Sequence, residues 1–337
     1  MKKLKMTVLL GLMAATFAGC GSKGNELPDV PSGPVMTESE NTVPVIVTEP
    51  TPEPVVEVTP EPATSTDDVT SASDNYEEST ERGHGYNHDQ IVNLAKERDE
   101  ILAGPDSIDE INAVHELNKQ IAALNSYDFS DMKIACIGDS ITYGLGGNTD
   151  EYGNPISYVN YLRDILGCEV VNVGLAGSAI GPYGSDACFL YRLDQIPEDT
   201  DMIIVFGGVN DYLCGNSVYG TEDENNGKYT QAVKKLFTDI RERFPDQEMF
   251  VVLTYSNQLE DDPKTEGIYD FDMWLDVQRS YASEFNFHKI EMYRNGFMNS
   301  RVPEIQQTFF YDNVHPNDNG YLVIARYIAA KIVEAYN

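Results

Sequence analysis

Three side chains in this sequence have types and placements suited to acyl transfer: Ser140, Asp312 and His315. A serine hydroxyl is a poor nucleophile until a base takes its proton, and imidazole is the side chain whose pKa suits that task near neutrality. His315 is one of five histidines and directly precedes Pro316, which keeps it out of helical geometry and predicts a loop before the last helix. Asp312, three residues earlier, reaches the second ring nitrogen if that loop turns, and would then set the tautomer and stabilise the imidazolium. The bland alternatives stay open on these residues alone. Asp312 also reads as a plain turn residue, and Gly138-Asp139-Ser140 as ordinary turn or helix-capping chemistry. His288 falls in a predicted strand and reads as structural or surface.

The element that must position Ser140 is the run Met132 to Gly138, bounded by Asp131 and by a glycine-containing turn. A short apolar run bounded in this way reads as a buried parallel strand, which needs no alternation. Ser140 then stands at a strand's C-terminal edge, where open α/β sheets bind ligands. Further strands are predicted over Glu169 to Gly174, Asp201 to Phe206, Glu248 to Thr254 and Phe287 to Met292. Helical patterns alternate with them over Ile156 to Leu166, Lys228 to Phe244, Phe271 to Phe285 and Asn319 to Ala335. Strands alternating with helices predict an α/β fold with a five-stranded parallel sheet and right-handed crossovers.

Three more short stretches accompany Gly138-Asp139-Ser140: Asn172-Val173-Gly174-Leu175-Ala176-Gly177, Gly207-Gly208-Val209-Asn210-Asp211 and Tyr311-Asp312-Asn313-Val314-His315-Pro316. In this order, with a predicted strand before each of the first three, they resemble the four sequence blocks of the SGNH hydrolases, the GDSL-type esterases and lipases. The resemblance covers about residues 130 to 337. It implies a flavodoxin-like three-layer α/β/α sandwich with strand order 2-1-3-4-5. It also implies a serine hydrolase of carboxylic esters with Ser140, His315 and Asp312 as the catalytic residues, and an oxyanion hole of the Ser140 N–H, the Gly177 N–H and the Asn210 side-chain amide. Physical chemistry agrees with these types, because glycine lets substrate approach the backbone and an asparagine amide donates without a full charge. Gly177 also reads as a turn glycine and Asn210 as a loop brace. Asp139 and Asp211 read as braces of their loops rather than reacting groups. Such a residue set calls for no cofactor and no metal.

The start of the chain carries an address rather than a fold. Met1 to Lys5 is basic, Met6 to Ala18 is apolar but short for a membrane span, and Ala18-Gly19-Cys20 is a small-residue cleavage site ending in cysteine. This resembles a bacterial lipoprotein signal, with Phe17 where leucine is usual, and predicts cleavage of residues 1–19 and lipid attachment at Cys20. Residues 20–86 are rich in Pro, Glu and Thr, with near-repeats such as Thr48 to Pro54 and Thr59 to Ala63. Too little apolar surface is present to offset the entropy of ordering, so this stretch reads as a disordered tether. At ~3.1 Å per residue it would reach on the order of a hundred ångströms from the membrane.

Between tether and hydrolase domain, residues 87–128 form a helical segment. Its two helices, Asn87 to Leu102 and Ser107 to Leu124, are split by Gly104-Pro105. Whether they dock on residues 129–337 or extend the stalk is open at this stage. His84, His88 and His115 lie in or beside them without the tight spacing of a metal site and are assigned to solvated surface. Besides Cys20 there are four cysteines: Cys136 reads as a buried apolar side chain, and bridges are open among Cys168, Cys188 and Cys214.

Acidity limits the partners. A formal net charge of -32 disfavours nucleic acid and anionic membrane surfaces. The stretches Leu213 to Gly227 and Ser256 to Asp272 are expected to border the site, and they are polar and acidic. Tyr143, Tyr183, Tyr212, Tyr255 and Trp274 are of a type to stack on sugar rings, though aromatics in such a domain are more often core. The reading that follows is a membrane-anchored, extracytoplasmic esterase removing small acyl groups, acetyl foremost, from carbohydrates or small molecules. The alternatives are a lipase, lysophospholipase or thioesterase of the same fold, and a non-catalytic glycan-binding module.

Overall fold

The computed structural model describes residues 87–104, 107–182, 188–213, 229–262 and 270–337. The signal peptide, Cys20, the tether, His84, Tyr183 and Cys214 lie outside the described residues.

Five parallel strands, β1 (Lys133–Gly138), β2 (Glu169–Gly174), β3 (Met202–Phe206), β4 (Glu248–Leu253) and β5 (His288–Glu291), form one sheet in the order β2-β1-β3-β4-β5. This is the flavodoxin-like order, with strand ends within about two residues of the sequence expectations. β3 is buried at every position and β1 and β4 at all but their first, since both faces are covered; the edge strands β2 and β5 are partly exposed. Alternate residues serve opposite faces. Ile134, Cys136, Ile204, Phe206 and Val252 join one core, while Ala135, Ile137, Ile203, Val205 and Val251 join the other.

The first core is closed by α4 (Tyr158–Leu166) and the C-terminal helix α9 (Asp318–Tyr336), and the second by α6 (Tyr229–Arg243) and α7 (Phe271–Glu284). α9 buries residues around most of its circumference because it is wedged between the sheet and two further helices, α1 (His88–Ile101) and α2 (Ile108–Ala123). The open question about residues 87–128 is thereby answered: Ile91, Ala95, Ile111, Val114 and Ile121 share the core of α9. Buried Arg98 fastens the arrangement, donating to Asn118 at 3.3 Å and pairing with Glu334 of α9.

Two histidines depart from the expected solvated surface. His115 is half-buried and accepts a hydrogen bond at Nε2 from the Arg326 guanidinium of α9, and burial with that neighbouring charge pushes its pKa down to about 4. His88, also half-buried, places Nδ1 2.9 Å from the Asn337 carbonyl. Periodicity located both helices but did not show that a second helix would cover their polar positions. Cys136, Cys168 and Cys188 are buried free thiols, so no bridge joins the described cysteines.

Candidate active site

Strand register gathers the first three motifs. Gly138 of β1 lies opposite Gly174 of β2 and Phe206 of β3, so the three strands end level and their loops leave from one edge. The chain passes from β1 outward to β2 and then back across to β3, which makes the β1/β3 edge the topological switch point. Ser140 and Asn210 both lie there.

After β1 the chain turns sharply into α3 (Ser140–Tyr143), with Asp139 as N-cap accepting from the Ile141 N–H at 3.0 Å. The turn is possible because residue 138 is glycine: a Cβ there would meet Thr142 Oγ1 at 1.9 Å and the Phe206 carbonyl oxygen at 2.7 Å. Ser140 opens α3, and the first N–H groups of a helix have no intrahelical acceptor. Its hydroxyl is nearly buried and lies 2.9 Å from His315 Nε2.

His315 is presented by a closed loop between α8 (Pro303–Phe309) and α9. Phe310 and Pro316 form an antiparallel bridge, and the Tyr311 N–H donates to the His315 carbonyl at 2.8 Å. Asp312 Oδ2 sits 2.7 Å from His315 Nδ1, while Oδ1 accepts the backbone N–H groups of Val314 and His315 at 2.8 and 2.7 Å. One carboxylate thus shapes the loop and orients the ring. Burial acts to raise its pKa, but the hydrogen bonds from the His315 ring and the two backbone N–H groups outweigh it and hold Asp312 below the usual carboxylate value.

Gly177 lies in the turn after β2 with a φ of 76°, the left-handed region that a side chain disfavours, and the space beside its Cα is open. Asn210 lies in α5 (Val209–Leu213) and donates one Nδ2 hydrogen to the Ser178 carbonyl at 3.0 Å, which ties it to the residue after Gly177. An amide has two such hydrogens, and the bond to Ser178 uses one of them, with no partner for the second among the described residues. Asp139 and Asp211 act as braces. Asp211 accepts from Ile180 and Gly181 N–H at 2.8 and 3.0 Å, and burial pushes its pKa up to about 7. Burial likewise pushes Asp139 up to about 6, against the Ile141 N–H and the charges of His315 and Arg192.

Other expectations are corrected. Tyr212 and Trp274 are core residues packed edge to face, and Tyr255 is fully buried, so none of the three meets a sugar. Their rings are claimed by the core under α6 and α7 and by the His315 loop; Tyr255 Oη donates to the Val314 carbonyl at 2.7 Å. Tyr143, three residues after Ser140, is 39% exposed, and Tyr311, one residue from Asp312, is 69% exposed. Residues missed by motif reading include Asn172, which joins the Gly174 N–H to the Thr142 carbonyl, and Gln278, which donates to the Gly207 carbonyl at 3.0 Å. Asn172 stands in a recognised block and gave that much signal. Gln278 sits mid-helix and gave none.

An aligned hydroxyl, imidazole and carboxylate is an arrangement for acyl transfer. The GDSL-like Lipase/Acylhydrolase family model matches residues 136–323, more than half of the chain. No curated protein sequence matches. Among solved structures, one is 26% identical with a TM-score of 0.54, covering 61% of this chain and 98% of its own. A protein from Lactobacillus plantarum is 25% identical with a TM-score of 0.52, covering 59% and 95%. An acetyl xylan esterase from Geobacillus stearothermophilus is 20% identical with a TM-score of 0.42, covering 61% and 97%. The chain belongs to the GDSL-like lipase/acylhydrolase family, a family of ester-hydrolysing enzymes.

Proposed function

We propose that this hydrolase removes small acyl groups, acetyl foremost, from carbohydrate esters outside the cytoplasm, with Ser140 as nucleophile, His315 as base and Asp312 as the group that orients it. The observation that carries this reading is the Ser140–His315–Asp312 hydrogen-bonded chain, with exposed tyrosines three residues after Ser140 (Tyr143) and one before Asp312 (Tyr311). His315 Nε2 takes the Ser140 proton as Oγ bonds to the ester carbonyl carbon. The resulting oxyanion is held by the N–H groups of Ser140 and Gly177 and by the Asn210 amide. Collapse of this intermediate breaks the bond to the sugar oxygen, which takes the proton from His315 and leaves as the free hydroxyl. Water then repeats the sequence on the acyl-enzyme, releasing the acid and restoring Ser140.

Exposed aromatic faces suit an alcohol portion that is flat and polar at its rim. Leu145 and Leu175, each about two-fifths exposed, favour a second reading in which a longer acyl chain lies on the same edge. A panel of chromogenic esters of rising chain length, with acetylated oligosaccharides beside them, separates the two. The acetyl ester is expected to show the highest kcat/KM, and a kcat/KM that climbs with chain length would replace the carbohydrate reading by the lipid one. A folded domain inert on the whole panel would instead be a glycan-binding module.

The location part of the proposal rests on Ala18-Gly19-Cys20. Cys20→Ala is expected to move the protein out of the membrane fraction, or to leave an uncleaved precursor, with esterase activity unchanged. Mature wild-type protein whose mass shows no lipid on Cys20 would overturn the anchor.

A further inference from the structure

Arg192 lies outside all four motifs, between the short 3-10 turns Phe189–Tyr191 and Leu193–Gln195, and is 4% exposed. Among the described residues its guanidinium donates to three oxygens on three chain segments. Nη2 reaches the Gly138 carbonyl at 2.9 Å and Ser178 Oγ at 2.9 Å, and Nη1 reaches the Val173 carbonyl at 2.6 Å. Gly138 is two residues before Ser140, Val173 directly precedes Gly174, the last residue of β2, and Ser178 follows Gly177 and holds Asn210 through its carbonyl. The guanidinium carbon also lies 5.2 Å from the centre of the Phe189 ring, and that ring fills the space a side chain at Gly207 would take. One side chain therefore touches, directly or through one neighbour, each of the three segments that carry the oxyanion donors.

A buried guanidinium is costly to desolvate, and an apolar side chain would fill the same volume more cheaply. Arginine gains its place here by a rigid planar array of donors, which lysine does not match. Ser178 is buried while Leu175 to Gly177 before it are exposed, so the turn that carries the Gly177 N–H is held from its Ser178 end, where Arg192 meets it. Among the described residues, Asp139, which caps the Ser140 helix, is the carboxylate whose charge acts on Arg192.

We infer that Arg192 is a positioning residue for the oxyanion hole, clamping the ends of β1 and β2 to the Gly177–Ser178 turn so that the Ser140 N–H, the Gly177 N–H and the Asn210 amide point at one place. The inference rests on the oxyanion assignment proposed above. It acts on the transition state, since donors displaced by a fraction of an ångström still admit a neutral ester but no longer meet the oxyanion.

The test measures kcat, KM and melting temperature on an acetate ester for Arg192→Met, Arg192→Lys, Asn210→Ala and the Arg192→Met/Asn210→Ala double variant. Arg192→Met is expected to lower kcat by about a hundredfold per folded molecule with KM nearly unchanged, the scale set by misplacing reacting groups by roughly 1 Å. Arg192→Lys should recover part of that loss, and it reads the same quantity if Arg192→Met does not fold. Because both residues serve one hole, the double variant is expected to be little slower than the worse single variant. A folded Arg192→Met with wild-type kcat, or losses that multiply in the double variant, would overturn the inference while leaving the oxyanion reading intact. A wild-type kcat in folded Asn210→Ala would overturn that reading and this inference with it.

Discussion

Ser140→Ala is expected to lower kcat by about 10⁶-fold without loss of the fold, because a hydroxyl that carries the covalent step has no substitute. The side chain is small and nearly buried, and Ala keeps the α3 backbone and the Asp139 cap, whose bond runs to the Ile141 N–H and not to the serine. The melting temperature should therefore stay close to that of the wild type. Rates are read with the acetate ester, and mass spectrometry of protein treated with a fluorophosphonate gives an independent readout. The wild type should gain one adduct on Ser140 and the variant none. Wild-type turnover in Ser140→Ala, or an adduct elsewhere that tracks activity, would remove Ser140 from the mechanism.

His315→Ala is expected to cost nearly as much as Ser140→Ala, and the double variant no more than either, since the two groups act as one unit. Asp312 is more informative when replaced conservatively. Its Oδ1 holds the Val314 and His315 N–H groups while Oδ2 meets the ring, so Asp312→Ala mixes a loosened loop with a misdirected imidazole. Asp312→Asn keeps an acceptor for the loop but turns an NH₂ toward Nδ1, which favours the tautomer with its proton on Nε2, facing Ser140. The expected loss is about 10⁴-fold in kcat with the fold retained. Equal activity of His315→Ala and wild type would overturn the assigned base. Equal activity of Asp312→Asn and wild type would reduce Asp312 to a turn residue.

The apolar runs over β1, β3 and β4 announced buried parallel strands because a strand covered on both faces needs no polar positions, and that is a local property. Helix periods were legible for the same reason. Ser140, Asp312 and His315 were legible as chemistry, because few residue types activate a hydroxyl and the short spacing from Asp312 to His315 lets one turn join them. The meeting of Ser140 with His315 across 175 positions came from the register of β1, β2 and β3 and from α9, which begins where the His315 loop ends.

Other features depended on what covers each residue, and no spacing carries that information. Tyr212, Tyr255 and Trp274 have the composition of a sugar platform and were drawn into the core, whereas Tyr311 was left outside beside the triad. His115 looked solvated until α9 brought Arg326 against it. α1 and α2 were found as helices, but only long-range packing on α9 made them part of the domain. Arg192 is the clearest case, because its three acceptors among the described residues lie 14, 19 and 54 positions away and two of them are backbone carbonyls. Any residue type offers a carbonyl, so a clamp built on carbonyls leaves no pattern in the sequence; it exists only once the sheet has brought the strand ends level.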